Sequence, residues 1–230
     1  MAERTRQHFS EELARVEAQG LGGLDLVVAQ IDKVLEALAH QDIELASMVI
    51  ANDDLVDGRY LEVHQELLSL FALQAPVAGD LRVVAALLHV MKNIERMGDQ
   101  CVNIAKTLPL TGHEAPVREE VLERILRMGR AARTEVTQAK AAFAARDVAL
   151  AEDLVRQDRE INALNREIFQ LAIDIGTDPD TREWGMHMVM VARALERIGD
   201  NAVDIGEQTA FVVTGLFREF SDSSHARPAV

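Results

Sequence analysis

The chain contains the same pattern twice. HQDIELASMVIANDDLVD, starting at His40, aligns with ARDVALAEDLVRQDREIN, starting at Ala145, at an offset of 105 residues. In that alignment Asp42 meets Asp147, Ile50 meets Val155, Asp53 meets Asp158, Val56 meets Ile161 and Asp57 meets Asn162. Further on, IERMGDQCVNI aligns with LERIGDNAVDI at an offset of 101, and Glu95, Arg96, Gly98, Asp99, Val102 and Ile104 each meet an identical residue. Two similar segments in the same order at compatible offsets imply two like structural units related by symmetry. The four-residue change of offset falls between the second and third elements of each unit, where a turn is expected to absorb it.

Each unit reads as three helices. Few aromatics, five prolines and abundant Ala, Leu and Glu leave little from which to build a sheet. Apolar periodicity and punctuation place helices over about 4–39, 42–73, 78–107, 117–144, 148–174 and 181–217. Gly20, Gly22 and Gly23 mark a candidate kink in the first of them. Asp42 and Asp147 stand where an N-cap is wanted. The segment Pro109–Pro116 is the one clear linker, so the halves are 1–112 and 113–218, and 219–230 reads as a disordered tail. The expected fold is all-α, two tandem pseudo-symmetric three-helix bundles with six helices in total.

The net charge of −14 is shared between the halves and repels nucleic acid and anionic lipid over most of the surface. Cys101 is the single cysteine, so neither a disulfide framework nor a thiolate metal site is available, and its helical surroundings make it an inert small helix residue. The N-terminus has no signal-peptide-like apolar core, and the apolar stretch near Val83–Met91 is too short to span a bilayer. The expected location is the cytoplasm, with membrane contact only through partners.

The carboxylates recur at helical spacing. The third helix carries a stripe of Leu81, Val84, Leu88 and Met91, whose continuation gives Glu95 and Asp99, with Asn103 one turn further. The sixth repeats this as Glu196, Asp200 and Asp204, following Val189 and Ala192. The second and fifth supply Asp53 with Asp57, and Asp158 with Asn162. In an up-down-up bundle the start of the second helix faces the end of the third. Carboxylates that converge on an inner face repel and are costly to desolvate, so they call for a hard cation, shared protons or basic partners. Gly98 and Gly199, each about 1 kcal/mol unfavourable inside a helix, imply that another helix or an ion comes close to that backbone.

Other chemistry is poorly supported. No HExxH is present, no Glu has a His three residues on, and no Walker loop, G-x-S-x-G or dinucleotide glycine loop occurs. Met186, Met188 and Met190 read as core filling, and Tyr60 and Trp184 as packing. A carboxylate-bridged phosphoester hydrolase and a metal-free helical scaffold are the alternatives to a metal-binding interaction protein; no base or anchoring lysine accompanies the clusters to favour the hydrolase.

At QAPVAGDLR, NIERMGDQCVNIAK and ALERIGDNAVDIGEQTAFVVTG the chain resembles the PhoU family, the accessory and regulatory proteins of high-affinity phosphate transport, over nearly its whole length. That resemblance implies a non-enzymatic negative regulator of the phosphate-starvation response, an adaptor between the phosphate ABC transporter and a sensor histidine kinase, often dimeric. It also implies metal ions (Mg, Mn, Fe or Zn, in clusters of several) held by Asp53, Asp57, Glu95, Asp99 and Asn103, and by Asp158, Asn162, Glu196, Asp200 and Asp204. Asn103 and Asn162 each stand opposite an Asp in the other half, and Thr181 stands opposite Asp80, so the two sets need not be alike.

Overall fold

The structure is a computed structural model, and it describes residues 2–73, 78–112 and 115–220. Its elements are α1 (Ala2–His40), α2 (Ile43–Ala51), α3 (Asp53–Leu73), α4 (Ala78–Thr107), a 3-10 turn (Leu108–Thr111), α5 (Glu119–Ala145), α6 (Val148–Ile173) and α7 (Pro179–Thr214). Helices α2 and α3 are one rod interrupted at Asn52. Counted so, six helices form two three-helix bundles, α1–α4 and α5–α7. Gln74–Val77 of the QAPVAGDLR turn, His113 and Glu114 of the linker, and Ser221–Val230 of the expected tail lie outside the described residues.

The duplication is visible in the backbone. Gln41 (φ 54°) and Arg146 (φ 56°), 105 positions apart, are the two left-handed non-glycine residues described. Each is followed by an aspartate N-cap: Asp42 accepts from the Leu45 N–H at 2.9 Å and Asp147 from the Leu150 N–H at 3.0 Å. A side-chain cap of this kind contributes about 1 kcal/mol. The change of offset is resolved differently from the sequence expectation. Helix α3 runs on to Leu73, whereas α6 ends at Ile173, the equivalent of Leu68. An extra helical turn on α3 therefore takes up the four residues.

Within each bundle neighbours are antiparallel. Arg15 pairs with Glu66 at 3.3 Å between α1 and α3, and Arg124 with Glu167 at 3.1 Å between α5 and α6. The bundles join through α4 against α7 and α1 against α5, both antiparallel. Along α1 and α5 run Asp32–Arg133, Asp25–Lys140 and Glu17–Arg146, each at 2.6 Å. Leu35 sits over Gly129, leaving no room for a side chain there. The core is continuous through both bundles and includes the fully buried Leu24, Ile31, Leu87, Met91, Ile94, Ile125, Met128 and Phe143. Burying each such side chain is worth about 1.5–3 kcal/mol.

Three local expectations change. Helix α1 passes through Gly20, Gly22 and Gly23 without a break. A Cβ at Gly20 would lie 3.1 Å from Leu87 and Met91, and one at Gly23 3.1 Å from Ile94, so these glycines admit α4. Of the three methionines only Met188 is core; Met186 and Met190 are exposed, because residues two apart on a helix point to opposite faces. Helix α7 stops at Gly215 (φ 75°), and the chain folds back, stacking Phe217 on Phe211 at 4.0 Å and placing the Phe220 N–H 2.7 Å from Glu207 Oε1. Phe220, assigned by sequence to the tail, is therefore packed.

Candidate functional site

In each bundle the second helix meets the third over a glycine flanked by carboxylates. In the first, the start of α3 crosses α4 at Gly98, and a Cβ there would lie 2.9 Å from Asp53 Oδ1 and 3.2 Å from Val56 Cγ1. In the second, α6 crosses α7 at Gly199, and a Cβ there would lie 2.9 Å from Glu135 Oε2, 3.0 Å from Ile161 Cδ1 and 3.1 Å from Asp158 Oδ1. The two glycines therefore let an aspartate carboxylate rest against helix backbone. The sequence expectation of a close approach at these positions holds, and the approaching groups are carboxylates.

The carboxylates on α4 and α7 do not continue the core stripe. The buried face of α4 runs through Val84, Leu87, Met91, Ile94, Gly98 and Cys101, while Leu81 is 47% exposed. Glu95 is half-buried and Asp99 exposed, flanking that face; Glu196, Asp200 and Asp204 flank α7 in the same way. Burial pushes the Cys101 thiol well up and leaves it inert.

At the first crossing, burial first and then the charges of Asp57, Asp99 and Asp54 raise the Asp53 carboxyl, against a hydrogen bond from Gln30 Nε2 at 3.4 Å. Asp99 is raised by desolvation against its neighbours, then by Glu95 and Asp57, and held down in part by Lys92 and Lys106. Glu95 pairs with Lys92 at 2.7 Å. Asp53, Asp57, Glu95 and Asp99 thus share one field. Asn103 turns toward α7, lining the groove between the bundles, with its amide 3.5 Å from Gln100.

The second crossing is drier. Asp158 is 4% exposed and accepts from Asn162 Nδ2 at 2.6 Å; Glu196 pairs with Arg193. Asp204 is raised by burial and Asp200 and lowered by Arg96 and His89. At its centre lies Glu135 of α5, fully buried, with no hydrogen-bond partner for either carboxyl oxygen among the described residues. Burial, then Asp158 and Asp200, push its pKa well up. Sequence reasoning missed Glu135, although two signals marked it. It falls in the α5 core stripe Ile125, Met128, Ala132 and Ala139, and its equivalent 105 residues earlier is Gln30, which is also buried and also reaches the crossing aspartate.

Among the described residues no three His, Cys, Asp or Glu side chains are gathered tightly enough to coordinate one ion directly. The donor set is nonetheless all oxygen, the chemistry a hard cation takes. The carboxyls raised at both crossings, Glu135 among them, call for shared protons, basic partners or a cation.

The chain is thus a duplicated three-helix bundle with a carboxylate-flanked glycine crossing in each half. The PhoU domain model matches twice, over residues 24–108 and 125–209. The chain is 33% identical over 222 residues to a phosphate-specific transport system accessory protein PhoU homolog of Caulobacter vibrioides, covering 94% of each. It is 27% identical to the homolog of Clostridium acetobutylicum, covering 95% of this chain and all of that one. The crystal structure of the phosphate transport system regulatory protein PhoU from Streptococcus pneumoniae superposes with a TM-score of 0.81 at 28% identity, over 91% of this chain and 99% of that one. That of PhoU from Pseudomonas aeruginosa superposes at 0.80 with 27% identity, over 90% and 100%. The chain belongs to the PhoU family of phosphate-transport accessory and regulatory proteins. Its role is regulatory in phosphate signalling and not enzymatic. Among the described residues no helix is long and apolar enough to cross a membrane.

Proposed function

We propose that the chain is a cytoplasmic negative regulator of the phosphate-starvation response and of high-affinity phosphate uptake, working as a cation-loaded adaptor between a phosphate ABC transporter and a sensor histidine kinase. The observation that carries the cation part is the pair of equivalent crossings, where carboxylates raised by burial and mutual charge lie against Gly98 and Gly199. Asp53, Asp57, Glu95, Asp99 and Asn103 make the first ligand set, and Asp158, Asn162, Glu196, Asp200 and Asp204 the second, with the division between the repeats at 112/113. These residues would hold Mg, Mn, Fe or Zn ions, one or more to a set, and the ions would supply charge neutralisation between the helices that carry them. Asp53 and Asp158 then fix where α3 and α6 cross α4 and α7, and so hold the outer faces in one arrangement for partners. Exposed Phe169, Ile173 and Met186 on the second bundle offer an apolar surface for a second copy, consistent with a homodimer.

The test is complementation. In a bacterial strain lacking its own PhoU protein, expression of this chain restores low phosphate uptake and low phosphatase output in phosphate-rich medium. The Asp99→Ala/Asp200→Ala chain, expressed at the same level, does not. Failure of the unmodified chain to repress, or full repression by the double variant, contradicts the regulatory and the cation parts respectively.

A further inference from the structure

Where the C-terminal part of α4 passes the middle of α7, a groove of about 470 Å³ opens between the bundles. Lys106, Arg193 and Arg197 line it, and among the described residues no Asp or Glu does. In a chain of net charge −14 this is a local reversal of sign. Arg193 is paired with Glu196, and Lys106 is near enough to Asp99 to hold that carboxyl down. Neither Lys106 nor Arg197 forms an ion pair within 4 Å among the described residues.

The pseudo-symmetry supplies an internal control. The offset of 101 carries Arg197 onto Arg96, Asn103 onto Asp204 and Lys106 onto Glu207. At that mirror position Arg96 and His89 face the Asp204 carboxylate, and Glu207 accepts from the Phe220 N–H. Cations there are neutralised by the protein's own carboxylates. In the groove the same two positions are an amide and an ammonium, so the positive charge is left for something else. The fold alone does not demand the arrangement, because its copy in the same molecule lacks it.

We infer that this groove binds a nucleotide-sized organic phosphate, with Arg197, Arg193 and Lys106 on the phosphate and Leu110 and Met190 against the organic body. Guanidinium forks suit phosphate oxygens bidentately. The volume lies within the range of about 300–1,000 Å³ typical of small-molecule sites, and far exceeds what a lone oxyanion fills. Leu110 and Met190 are 62% and 61% exposed, apolar surface that a planar base would cover.

Isothermal titration calorimetry of the full chain with AMP, ADP, adenosine and inorganic phosphate, without added divalent metal, tests this. AMP or ADP is expected to bind at least about ten-fold more tightly than adenosine or inorganic phosphate, and more weakly as salt rises. Lys106→Glu, which copies the residue of the mirror position, and Arg197→Gln each weaken binding about ten-fold or more, while Arg96→Gln leaves it unchanged. Circular dichroism melting checks that the variants fold, and Lys106→Glu is the variant for which the molecule's other half already provides a tolerated precedent. No binding of AMP or ADP at millimolar concentration, binding indifferent to Lys106→Glu and Arg197→Gln, or inorganic phosphate binding as tightly as AMP each overturns the proposal.

Discussion

Alanine at Gly199 should destabilise the protein, although alanine is the better helix former by about 1 kcal/mol. The added methyl would sit 2.9 Å from Glu135 Oε2, 3.0 Å from Ile161 Cδ1 and 3.1 Å from Asp158 Oδ1, all inside ordinary contact distance. None of the three can swing into solvent, since all are buried. Overpacking of this kind costs about 1–3 kcal/mol, and displacing Asp158 also disturbs its 2.6 Å hydrogen bond from Asn162, worth about 1 kcal/mol. After the propensity gain the net loss is about 1–3 kcal/mol. Gly58, inside α3 with open space within 4 Å of where a Cβ would stand, is the control: its alanine variant should gain about 0.5–1 kcal/mol. Gly98→Ala falls between, because Asp53 is only half-buried and can turn away, leaving the contact with Val56 at 3.2 Å. Thermal melting by circular dichroism reads the order, with about 2–4 °C for each kcal/mol in a chain of this size. Gly199→Ala melting at or above the unmodified protein, while Gly58→Ala rises, would refute the crossing geometry.

Glu135 makes stability pH-dependent. Its pKa is raised in the fold, so the native state holds the proton more tightly than the unfolded chain. That contribution is complete below the ordinary value of 4.5 and is lost as pH rises through the raised folded value. Glu135→Gln should therefore stabilise the metal-free protein by about 1–3 kcal/mol at pH 8 and flatten urea-melt stability against pH; an unchanged profile would mean the carboxyl is not held as described. Asp147→Ala should cost about 1 kcal/mol through loss of the α6 cap, read by the same melts, and Asp147→Asn much less. Arg133→Ala and Lys140→Ala, each removing one exposed inter-bundle ion pair, should each cost no more than about 1 kcal/mol, with the difference from the unmodified chain shrinking in high salt.

The duplication was legible because identity at fixed offsets survives in Glu95, Arg96, Gly98 and Asp99 and their partners, and it carried the fold with it. Asp42 and Asp147 were legible as caps because the chemistry is local. The phase of α4 was not. Leu81–Met91 is apolar nearly all round, so a stripe through Leu81 and Leu88 and one through Val84 and Leu87 fit the periodicity equally well. Only packing against α1 and α3 chooses the second, which moves Asp99 to the flank and seats Gly98 on the crossing. Glu135 was hidden for a related reason: a single carboxylate on a long charged helix looks solvated until the neighbouring helices are placed around it. Gln30, at the equivalent position, was the available clue.

The most direct test of the cation-loaded crossings is elemental analysis of the purified, untagged protein after dialysis against Mg2+, Mn2+, Fe2+ and Zn2+ in turn, beside the Asp99→Ala/Asp200→Ala variant. One or more ions per chain, lost in the double variant with a lowered melting temperature, is the expected result. No ion from any of the four dialyses, or equal retention by the variant, would contradict it.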